Sequence, residues 1–489
     1  MTRAQIRRVA VIGAGISGVV SAAHLLQAGL EVVVFERSRE AGGVWLYDER
    51  AAPEPSYTAL KPLEAEEYFD QGEQDGILSH APPGPCYNGL TNNVSTPLMR
   101  VKLNAWPEGT PDFVSHSVLR EYIQDTSRKA GVHGVTRYGA RVKNVEKVDA
   151  VWNVTWSILE NGVEVETTEG YDSVVVASGH YHTPRVPSTP GLSAAKARWP
   201  AQIFHSKRYR KPEGFEGKNV LLVGGAVSAI DIAREIGEQA AHIYQSTRNG
   251  EFDISASVLP GNGVRVGEVS RYEILEPRDD VERGVSGKLP LKVHLKSGQV
   301  LCNLDTIILC TGYQFTLPFL PEYHNDGASP AEADDRVLVT DGTQAHNLHK
   351  DIFYIPDPTL AFVGVPFYTA TFTLFEFQAI VVTNVWSGLA RLPAEKSMRE
   401  EYNDKIHTKG VGKRFHSLKD VEEDYVTDLL GWINRERTEK GLAEIEGHTE
   451  TWHEAKAAQR ERIRTLFASD STDRRDSGIG NGLILPACA

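Results

Sequence analysis

The hydrophobic pattern near the start of the chain changes its period twice. A short apolar run from Arg8 to Ile12 is followed by helical spacing through Leu26, and a second apolar run extends from Glu31 to Phe35. Short apolar runs bounded by glycine predict buried strands, and the interval with a period of about 3.6 residues predicts a helix. The same succession recurs between Lys218 and Gln245, so the sequence predicts two β-α-β units.

Stretches in which polar and apolar residues alternate follow each unit. The first, Val135 to Gly162, predicts an antiparallel meander that leads to a buried strand at Ser173 to Ala177. A second alternating stretch leads to a buried strand at Thr306 to Leu309. After Leu317 the pattern becomes helical, and Thr373 to Leu389 is apolar on nearly every face, which is typical of a buried helix.

Glycines follow the first predicted strand at the spacing G-x-G-x-x-G. Gly13 allows a tight turn, Gly15 lets a pyrophosphate approach the backbone, and Gly18 lets the helix pack closely against the strand. Glu36 ends the second strand, where a carboxylate can bind the hydroxyls of a ribose. Because strand, helix and acid are all in place, the sequence predicts a dinucleotide site here.

A glycine pair directly after this acid narrows the choice of dinucleotide. Gly42 and Gly43 let the backbone pass beside a flat, extended ligand, and Trp45 follows them. The pair resembles one that flavoproteins with two dinucleotide sites carry at this place. The first unit is therefore predicted to bind FAD, with a plain glycine turn as the alternative.

The second unit carries a weakened form of the same fingerprint. Gly224 keeps its place, whereas Ala226 and Ala229 stand where the second and third glycines would be. The methyl group of Ala226 should push a pyrophosphate slightly outward, and Ser228 lies at the start of the predicted helix. Arg248 follows the next strand in place of an acid, and a guanidinium suits a 2′-phosphate through paired hydrogen bonds. The pattern favours NADPH over NADH, and a solvated surface arginine is the alternative.

The segment between the two units makes a family resemblance specific. WPAQIFHSKRY resembles the linker motif F-x-G-x-x-x-H-x-x-x-Y/F of the flavin-containing monooxygenases, with His205 and Tyr209 in register. Trp199 replaces the phenylalanine of the motif, and Ala201 replaces its glycine. For His205 and Tyr209, the resemblance implies a place at the cofactor site.

Two further segments extend this resemblance over most of the chain. The buried strands end in ASGHY and CTGY, which look like the crossing points between paired dinucleotide domains, and CTGY contains Thr311 and Gly312. LAFVGVP followed by EFQA, with Gln378, is similar to the family's C-terminal flavin-domain segment. The resemblance implies that Thr311, Gly312 and Gln378 belong to the cofactor sites.

A third segment, YNGLTNNVSTPLM, resembles the part of the family that faces the flavin. Aligning Tyr87, Leu90 and Met99 places Asn93 on the asparagine beside the flavin and Asn92 on a usual threonine. The resemblance implies that Asn93 is the catalytic hydrogen-bond donor. A shift by one residue to Asn92, or an Asn-Asn surface turn without function, are the alternatives.

These features together predict an α/β fold with two dinucleotide-binding, Rossmann-like domains. The NADP-binding domain, 184–314, is inserted in a discontinuous FAD-binding domain. The first part of that FAD domain is 1–183, and its second, largely helical part is 315–470. Residues 471–489 are predicted to form a tail.

Composition limits the partners and the compartment. The 489 residues carry a formal net charge of −13, which argues against a general nucleic-acid binder or a protein of anionic membrane surfaces. The chain enters a strand almost at once, and no run of about 18 apolar residues follows, so a cytoplasmic protein without a stable membrane anchor is predicted. No metal cluster stands out, and a homo-oligomer is left open.

The resemblance implies a reaction in two stages. NADPH gives hydride to FAD, and the reduced flavin takes molecular oxygen as a C4a-hydroperoxide, so the oxidant belongs to the cofactor. A soft nucleophilic nitrogen or sulfur of a small molecule, expected to be a metabolite amine, then attacks the distal oxygen.

Other functions stay open at this point. A Baeyer-Villiger monooxygenase acting on ketones would have a different residue pair at Tyr209 and Arg210. A flavoprotein reductase normally carries a Cys-x-x-Cys pair, which this sequence lacks, and an NADPH oxidase would pass electrons to oxygen alone. A nucleotide-binding regulator without turnover is a further hypothesis, because Ala226 and Ala201 depart from the motifs.

Overall fold

The computed structural model describes residues 6–57, 61–63, 76–275 and 287–473. The strands are β1 Arg8–Ile12, β2 Glu31–Glu36, β3 Thr136–Tyr138, β4 Arg141–Val148, β5 Val151–Glu160, β6 Val163–Tyr171, β7 Ser173–Val176, β8 Thr183–Pro184, β9 Ile203–His205, β10 Asn219–Val223, β11 His242–Ser246, β12 Gly263–Val266, β13 Val269–Ile274, β14 Leu291–Leu295, β15 Val300–Leu301, β16 Thr306–Leu309, β17 Tyr313–Gln314, β18 Leu348–His349, β19 Phe353–Tyr354 and β20 Leu360–Phe362. The helices are α1 Ile16–Gln27, α2 Gly76–His80, α3 His116–Lys129, α4 Leu192–Arg198, α5 Val227–Ile236, α6 Thr371–Trp386, α7 Glu395–Lys409, α8 Glu422–Glu439 and α9 Glu450–Asp473.

The larger sheet has seven strands in the order β18-β19-β20-β7-β1-β2-β3. Its strands from β20 to β3 run parallel, and β1 lies between β2 and β7, with Ile12 opposite both Phe35 and Val176. The buried helices α1 and α6 pack on one face, and the meander β4-β5-β6 packs on the other through side chains such as Trp152. Because the carboxyl ends of parallel strands meet at one edge, Gly13 emerges between the ends of β2 and β7.

The second sheet has five parallel strands in the order β12-β11-β10-β16-β9. Helix α5 packs against one face through Ile232 and Ala233, and the antiparallel strands β13-β14-β15 belong to the core on the other face. This arrangement repeats that of the first unit, with β10 in the place of β1 and β16 in the place of β7. The predicted α/β fold with two dinucleotide-binding units is confirmed.

The crossing between the two sheets is a short antiparallel pair, β8 with β17. The larger sheet takes strands from both ends of the chain, whereas β9 to β16 form separate sheets between these two crossing strands. This strand membership supports an insertion at 184–314, which stays a prediction. The first meander is shorter than predicted because Thr136–Tyr138 pairs in parallel with β2. Of the predicted tail, residues 471–473 belong to α9, and 474–489 lie outside the described residues.

Candidate active site

A cavity of 2700 Å³ runs between the two glycine-rich turns. Its walls include both turns, the Asn92–Asn93 segment, and the Gly364–Tyr368 loop before α6. Sites for single drug-sized ligands measure roughly 300–1,000 Å³. The cavity is therefore large enough for more than one extended ligand, as two dinucleotides would require.

The first turn is built so closely that only glycine fits two of its positions. Gly13 has φ +101°, and a β carbon there would lie 2.6 Å from the carbonyl oxygen of Ala177. A β carbon at Gly18 would lie 1.8 Å from the carbonyl oxygen of Gly13. Gly18 does not line the cavity, so its role is the packing of α1 on the turn, as predicted from its spacing.

Gly15 and Gly43 form the cradle for the first ligand. Both line the cavity, and a β carbon on Gly43 would lie 2.9 Å from the Cα atom of Gly15. Two bare backbone segments therefore meet at the start of α1, where the amide groups of a helix N-terminus favour an anionic pyrophosphate. Trp45 lines the same wall. This cradle fits an extended dinucleotide such as FAD.

Glu36 supports the turn as well as facing the cavity. Its Oε2 accepts a hydrogen bond from the amide of Ala14 at 2.7 Å, and its Oε1 accepts one from the amide of Ser38 at 2.8 Å. The residue is only 7% exposed and lines the cavity. A ribose at this wall would meet a carboxylate that the backbone already holds in place.

The second turn repeats the first closely. Gly224 has φ +139°, and a β carbon there would lie 2.2 Å from the carbonyl oxygen of Cys310, just as Gly13 lies against Ala177. The chain segments ASGHY and CTGY thus pack directly on the two turns. Ala226 begins α5 with φ −92° and ψ −170°, an extended conformation like that of Gly15, so its methyl group causes no backbone strain.

The residues predicted to bind NADPH lie around this second turn. Ser228 and Arg248 both line the cavity beside Gly224. The loop after Arg248 returns to the turn, because Ile254 donates its amide to the carbonyl oxygen of Gly225 at 2.8 Å. The described structure therefore brings together the cavity-lining residues predicted for the second ligand.

Asn92 and Asn93 have different environments. The Asn92 side chain is 3% exposed, and its amide nitrogen donates to the carbonyl oxygens of Val94 and Asp112 at 2.7 and 2.8 Å. Its Oδ1 accepts from the amide of Val114 at 2.6 Å. Both asparagines line the cavity, but Asn93 is exposed. Asn92 is thus occupied in holding the loop, and Asn93 is the asparagine whose side chain is available to a ligand.

Contacts with α5 position this asparagine loop. Tyr87 donates its hydroxyl to Oδ2 of Asp231 at 2.7 Å, and the amide of Gly89 donates to Oε1 of Glu235 at 3.0 Å. The reasoning from sequence missed Asp231 and Glu235. No local pattern marks them, because they follow the loop by more than 140 residues and look like ordinary helix-surface acids.

The linker residues lie behind the cavity wall. His205 is fully buried, its Nδ1 accepts from the amide of Lys207 at 3.1 Å, and its Nε2 pairs with the carbonyl oxygen of Gly312 at 3.1 Å. Burial lowers the pKa of His205 to about 3, which keeps the ring neutral. Tyr209 is buried against Tyr87. Neither His205 nor Tyr209 lines the cavity, so the structure gives them a positioning role near the cofactor sites.

The remaining predicted cofactor residues differ in their place at the cavity. Thr311 and Gly312 line the cavity, and Gly312 accepts the amide of Arg185 at 2.9 Å. Gln378 is fully buried behind the wall, where its Oε1 accepts the amide of Gly364 at 3.0 Å. Gln378 therefore holds a cavity-lining loop in place.

Two broader features complete the description. Across the described ranges, no His, Cys, Asp and Glu side chains gather in groups of three that could hold a metal ion. Within the same ranges, every helix is too short or too polar to cross a membrane.

Comparison with known proteins gives a consistent result. Residues 6–57, 79–275 and 292–436 match the family described as Flavin-binding monooxygenase-like, or FMO-like. Flavin-containing monooxygenase ustF2 of Aspergillus flavus is 52% identical, over 95% of this chain and 99% of that protein. Flavin-containing monooxygenase ustF1 of the same organism is 45% identical, over 93% of this chain and 90% of that protein.

A solved structure extends the comparison to the fold. The S-allyl-L-cysteine S-oxygenase of Allium sativum superposes with a TM-score of 0.68 at 26% identity, over 96% of this chain and 98% of that one. These matches confirm the predicted enzyme class, a monooxygenase among the oxidoreductases, and its cofactors FAD and NADPH. With its paired glycine turns and shared cavity, this chain belongs to the flavin-binding monooxygenase-like family.

Proposed function

We propose that this enzyme transfers one oxygen atom from molecular oxygen to a soft nucleophilic nitrogen or sulfur of a small molecule, most simply a metabolite amine. The other oxygen atom leaves as water, with NADPH and a proton supplying the two electrons and the hydrogens. The observation that carries the proposal is Asn93, an asparagine available to a ligand in the cavity that both glycine turns share. The S-oxygenase of Allium sativum supports sulfur as one of the two acceptor atoms.

The residues of this chain would bind and orient FAD and the substrate. FAD, when bound, supplies the redox chemistry and the activation of oxygen. Gly13, Gly15 and Gly43 would hold its pyrophosphate and flat body, while Glu36 would bind its ribose. The Asn93 amide donates a hydrogen bond into the reaction centre. The proposed reaction assigns no acid or base role to a protein side chain.

A second set of residues serves NADPH. Gly224 forms the tight turn, and Ser228 lies at the start of α5, where backbone amides favour a pyrophosphate. Arg248 would pair with the 2′-phosphate through its guanidinium. His205 holds the crossing segment at Gly312, so that both ligands meet in one cavity.

The direct test uses the flavin-loaded enzyme with NADPH and isotopically labelled dioxygen. The probes are a tertiary amine, a thioether and a cyclic ketone, and the readout is the label in the organic product. Label in an N-oxide or S-oxide supports the proposal. Label in a lactone makes the enzyme a Baeyer-Villiger monooxygenase, and NADPH consumption that yields only hydrogen peroxide makes it an oxidase.

The Asn93→Ala variant tests the proposed donor. It should still consume NADPH, but the share that ends in oxygenated product should fall by roughly a hundredfold, the typical effect of losing one preorganised hydrogen-bond donor. The ratio of product to hydrogen peroxide is the measurement. Its melting temperature should stay that of the wild type, because the side chain is exposed.

Asn92→Ala is the matched control for this prediction. Its side chain makes three hydrogen bonds, with the backbone of Val94, Asp112 and Val114, so its loss should lower the melting temperature. If Asn93→Ala keeps full coupling, the donor lies elsewhere.

Cytoplasmic residence, a homo-oligomeric state and the absence of a nucleic-acid partner stay predictions.

A further inference from the structure

Among the many arginines and lysines that line the cavity, three come from distant parts of the chain and lie on its second-turn side. Arg185 follows β8, Arg248 follows β11, and Lys413 follows α7. None of the three forms an ion pair with a carboxylate of the described residues. Only Arg248 was singled out from the sequence, because Lys413 lies 165 residues further along the chain, in the last part of the FAD domain.

Contacts of the segment around Lys413 fix its place. The ammonium group of Lys413 lies 5.0 Å from the ring centre of Phe252, in the loop that follows Arg248. That ring also stacks on Tyr368, with ring centres 5.4 Å apart and an interplanar angle of 18°. The next residue, Arg414, forms an ion pair with Glu251. The segment from Lys413 to Arg414 is thus docked on the loop of the second β-α-β unit.

The nearby carboxylates of Asp253 and Asp341 accept hydrogen bonds from residues of their own loops. Oδ2 of Asp253 accepts the amide of Gly250 at 2.9 Å. Oδ1 of Asp341 accepts both the amide and the hydroxyl of Thr343, at 2.9 and 2.6 Å.

The positive charges of these side chains oppose one another's protonation. Burial, together with the positive charges of Arg185 and Arg248, lowers the pKa of Lys413, against an opposing effect of Asp253. Burial and the charge of Arg248 lower the pKa of Arg185, against an opposing effect of Asp341. A multiply charged anion between these groups would relieve the repulsion, because opposite charges favour the protonated forms.

We propose that Lys413, together with Arg185 and Arg248, binds the 2′-phosphate of NADPH. This inference rests on the proposed use of NADPH at the second turn. A phosphate group carries close to two negative charges and several strong acceptor oxygens, which suits a cluster of three cations. Since Lys413 belongs to the FAD domain, the 2′-phosphate would bridge the two domains, and NADPH specificity would depend on a residue outside the nucleotide-binding unit.

Equilibrium binding isolates this contact from catalysis. The flavin-loaded enzyme is titrated calorimetrically with adenosine 2′,5′-bisphosphate and with adenosine 5′-monophosphate, which differ only in the 2′-phosphate. Lys413→Met removes the charge and keeps the aliphatic stem on Phe252. We expect it to raise the dissociation constant of the bisphosphate about tenfold, the size of one charge-assisted hydrogen bond. The monophosphate constant should stay unchanged.

Two matched variants separate charge from contact. Lys413→Arg keeps the cation and should bind the bisphosphate like the wild type. Lys396→Met makes the same change of net charge on α7, where the Lys396 side chain is 87% exposed, and should have no effect.

The possible outcomes are distinguishable. If Lys413→Met weakens both nucleotides equally, or neither, Lys413 does not contact the 2′-phosphate and the inference is wrong. If Lys413→Met leaves both nucleotides unchanged and weakens only a carboxylated amine substrate, the anion is the substrate instead. If the wild type itself fails to prefer the bisphosphate, the proposed NADPH site fails, whatever Lys413 does.

Discussion

At the scale of single residues, the two turns show which glycines are required by packing and which by the ligand. Gly13 and Gly224 have positive φ and lie against a carbonyl oxygen of the crossing segment, so any side chain would clash. Gly15 and Ala226 have the same extended backbone, and either residue type fits it. The alanine in the second fingerprint is therefore compatible with the fold.

This distinction predicts opposite effects for two substitutions in one turn. Gly224→Ala should destabilise the protein by about 1–3 kcal/mol or more, since an alanine at this φ is strained and its methyl group meets Cys310. Ala226→Gly should keep the stability, because glycine is also a better N-cap than alanine, and should lower the dissociation constant of NADPH by a few-fold. Urea unfolding and fluorescence titration measure the two quantities. Weaker NADPH binding by Ala226→Gly would contradict the steric account.

At the scale of elements, the asparagine loop depends on a helix of the other unit. Tyr87 and Gly89 are hydrogen-bonded to α5 through Asp231 and Glu235, and burial raises the pKa of both carboxyl groups. The loop that carries Asn93 is thereby held by the same helix whose first turn lines the second ligand site. Helix α5 therefore contacts both the segment that carries Asn93 and the second ligand site.

Removing the tyrosine hydroxyl tests this connection. Tyr87→Phe leaves the Asp231 carboxylate without its partner, which should cost about 1–3 kcal/mol of stability. It should also raise the share of NADPH lost as hydrogen peroxide, because Asn93 is held less firmly. A double-mutant cycle with Asp231→Ala, which removes the acceptor, measures the coupling. Additive losses of stability in that cycle would show that the hydrogen bond does not stabilise the loop.

At the scale of the whole molecule, charge on the outer meander stabilises the larger sheet. Glu169 on β6 accepts hydrogen bonds from Arg137 at 2.5 Å, Tyr171 at 3.0 Å and Arg8 at 2.9 Å. Arg8 begins β1 and Arg137 lies in β3, so one carboxylate connects three strands. These partners, Arg137 foremost, lower the pKa of Glu169 to about 2 from its ordinary value of 4.5.

The sign of this shift predicts a pH dependence. Because the folded-state pKa is depressed, the stabilisation is fully present above pH 4.5 and is lost as the pH falls toward 2. Glu169→Gln should therefore lower the free energy of unfolding by about 1 kcal/mol at pH 7, and the difference from the wild type should shrink between pH 4.5 and 2. Urea midpoints across this range measure it. Glu166→Gln, an exposed change on the same strand, should have no such effect.

Local patterns alone were sufficient for the two β-α-β units, the buried helix and the glycine turns. A strand, a tight turn and a helix depend on neighbouring residues, so the period of hydrophobicity and the spacing of Gly13, Gly15 and Gly18 already contain them. The cofactor class followed from the same local features with the family resemblance. Alignment also favoured Asn93 over Asn92 as the catalytic donor, and that choice stays a prediction.

Only the tertiary structure decided which side chains meet across long separations. His205 and Gln378 prove to support the cavity wall from behind, because the path of the backbone, and not the motif, determines what faces a ligand. Asp231 joins the Tyr87 loop, and Lys413 reaches the Phe252 loop, through contacts that no local pattern records. Such contacts depend on how the two sheets pack, and packing is a property of the whole chain.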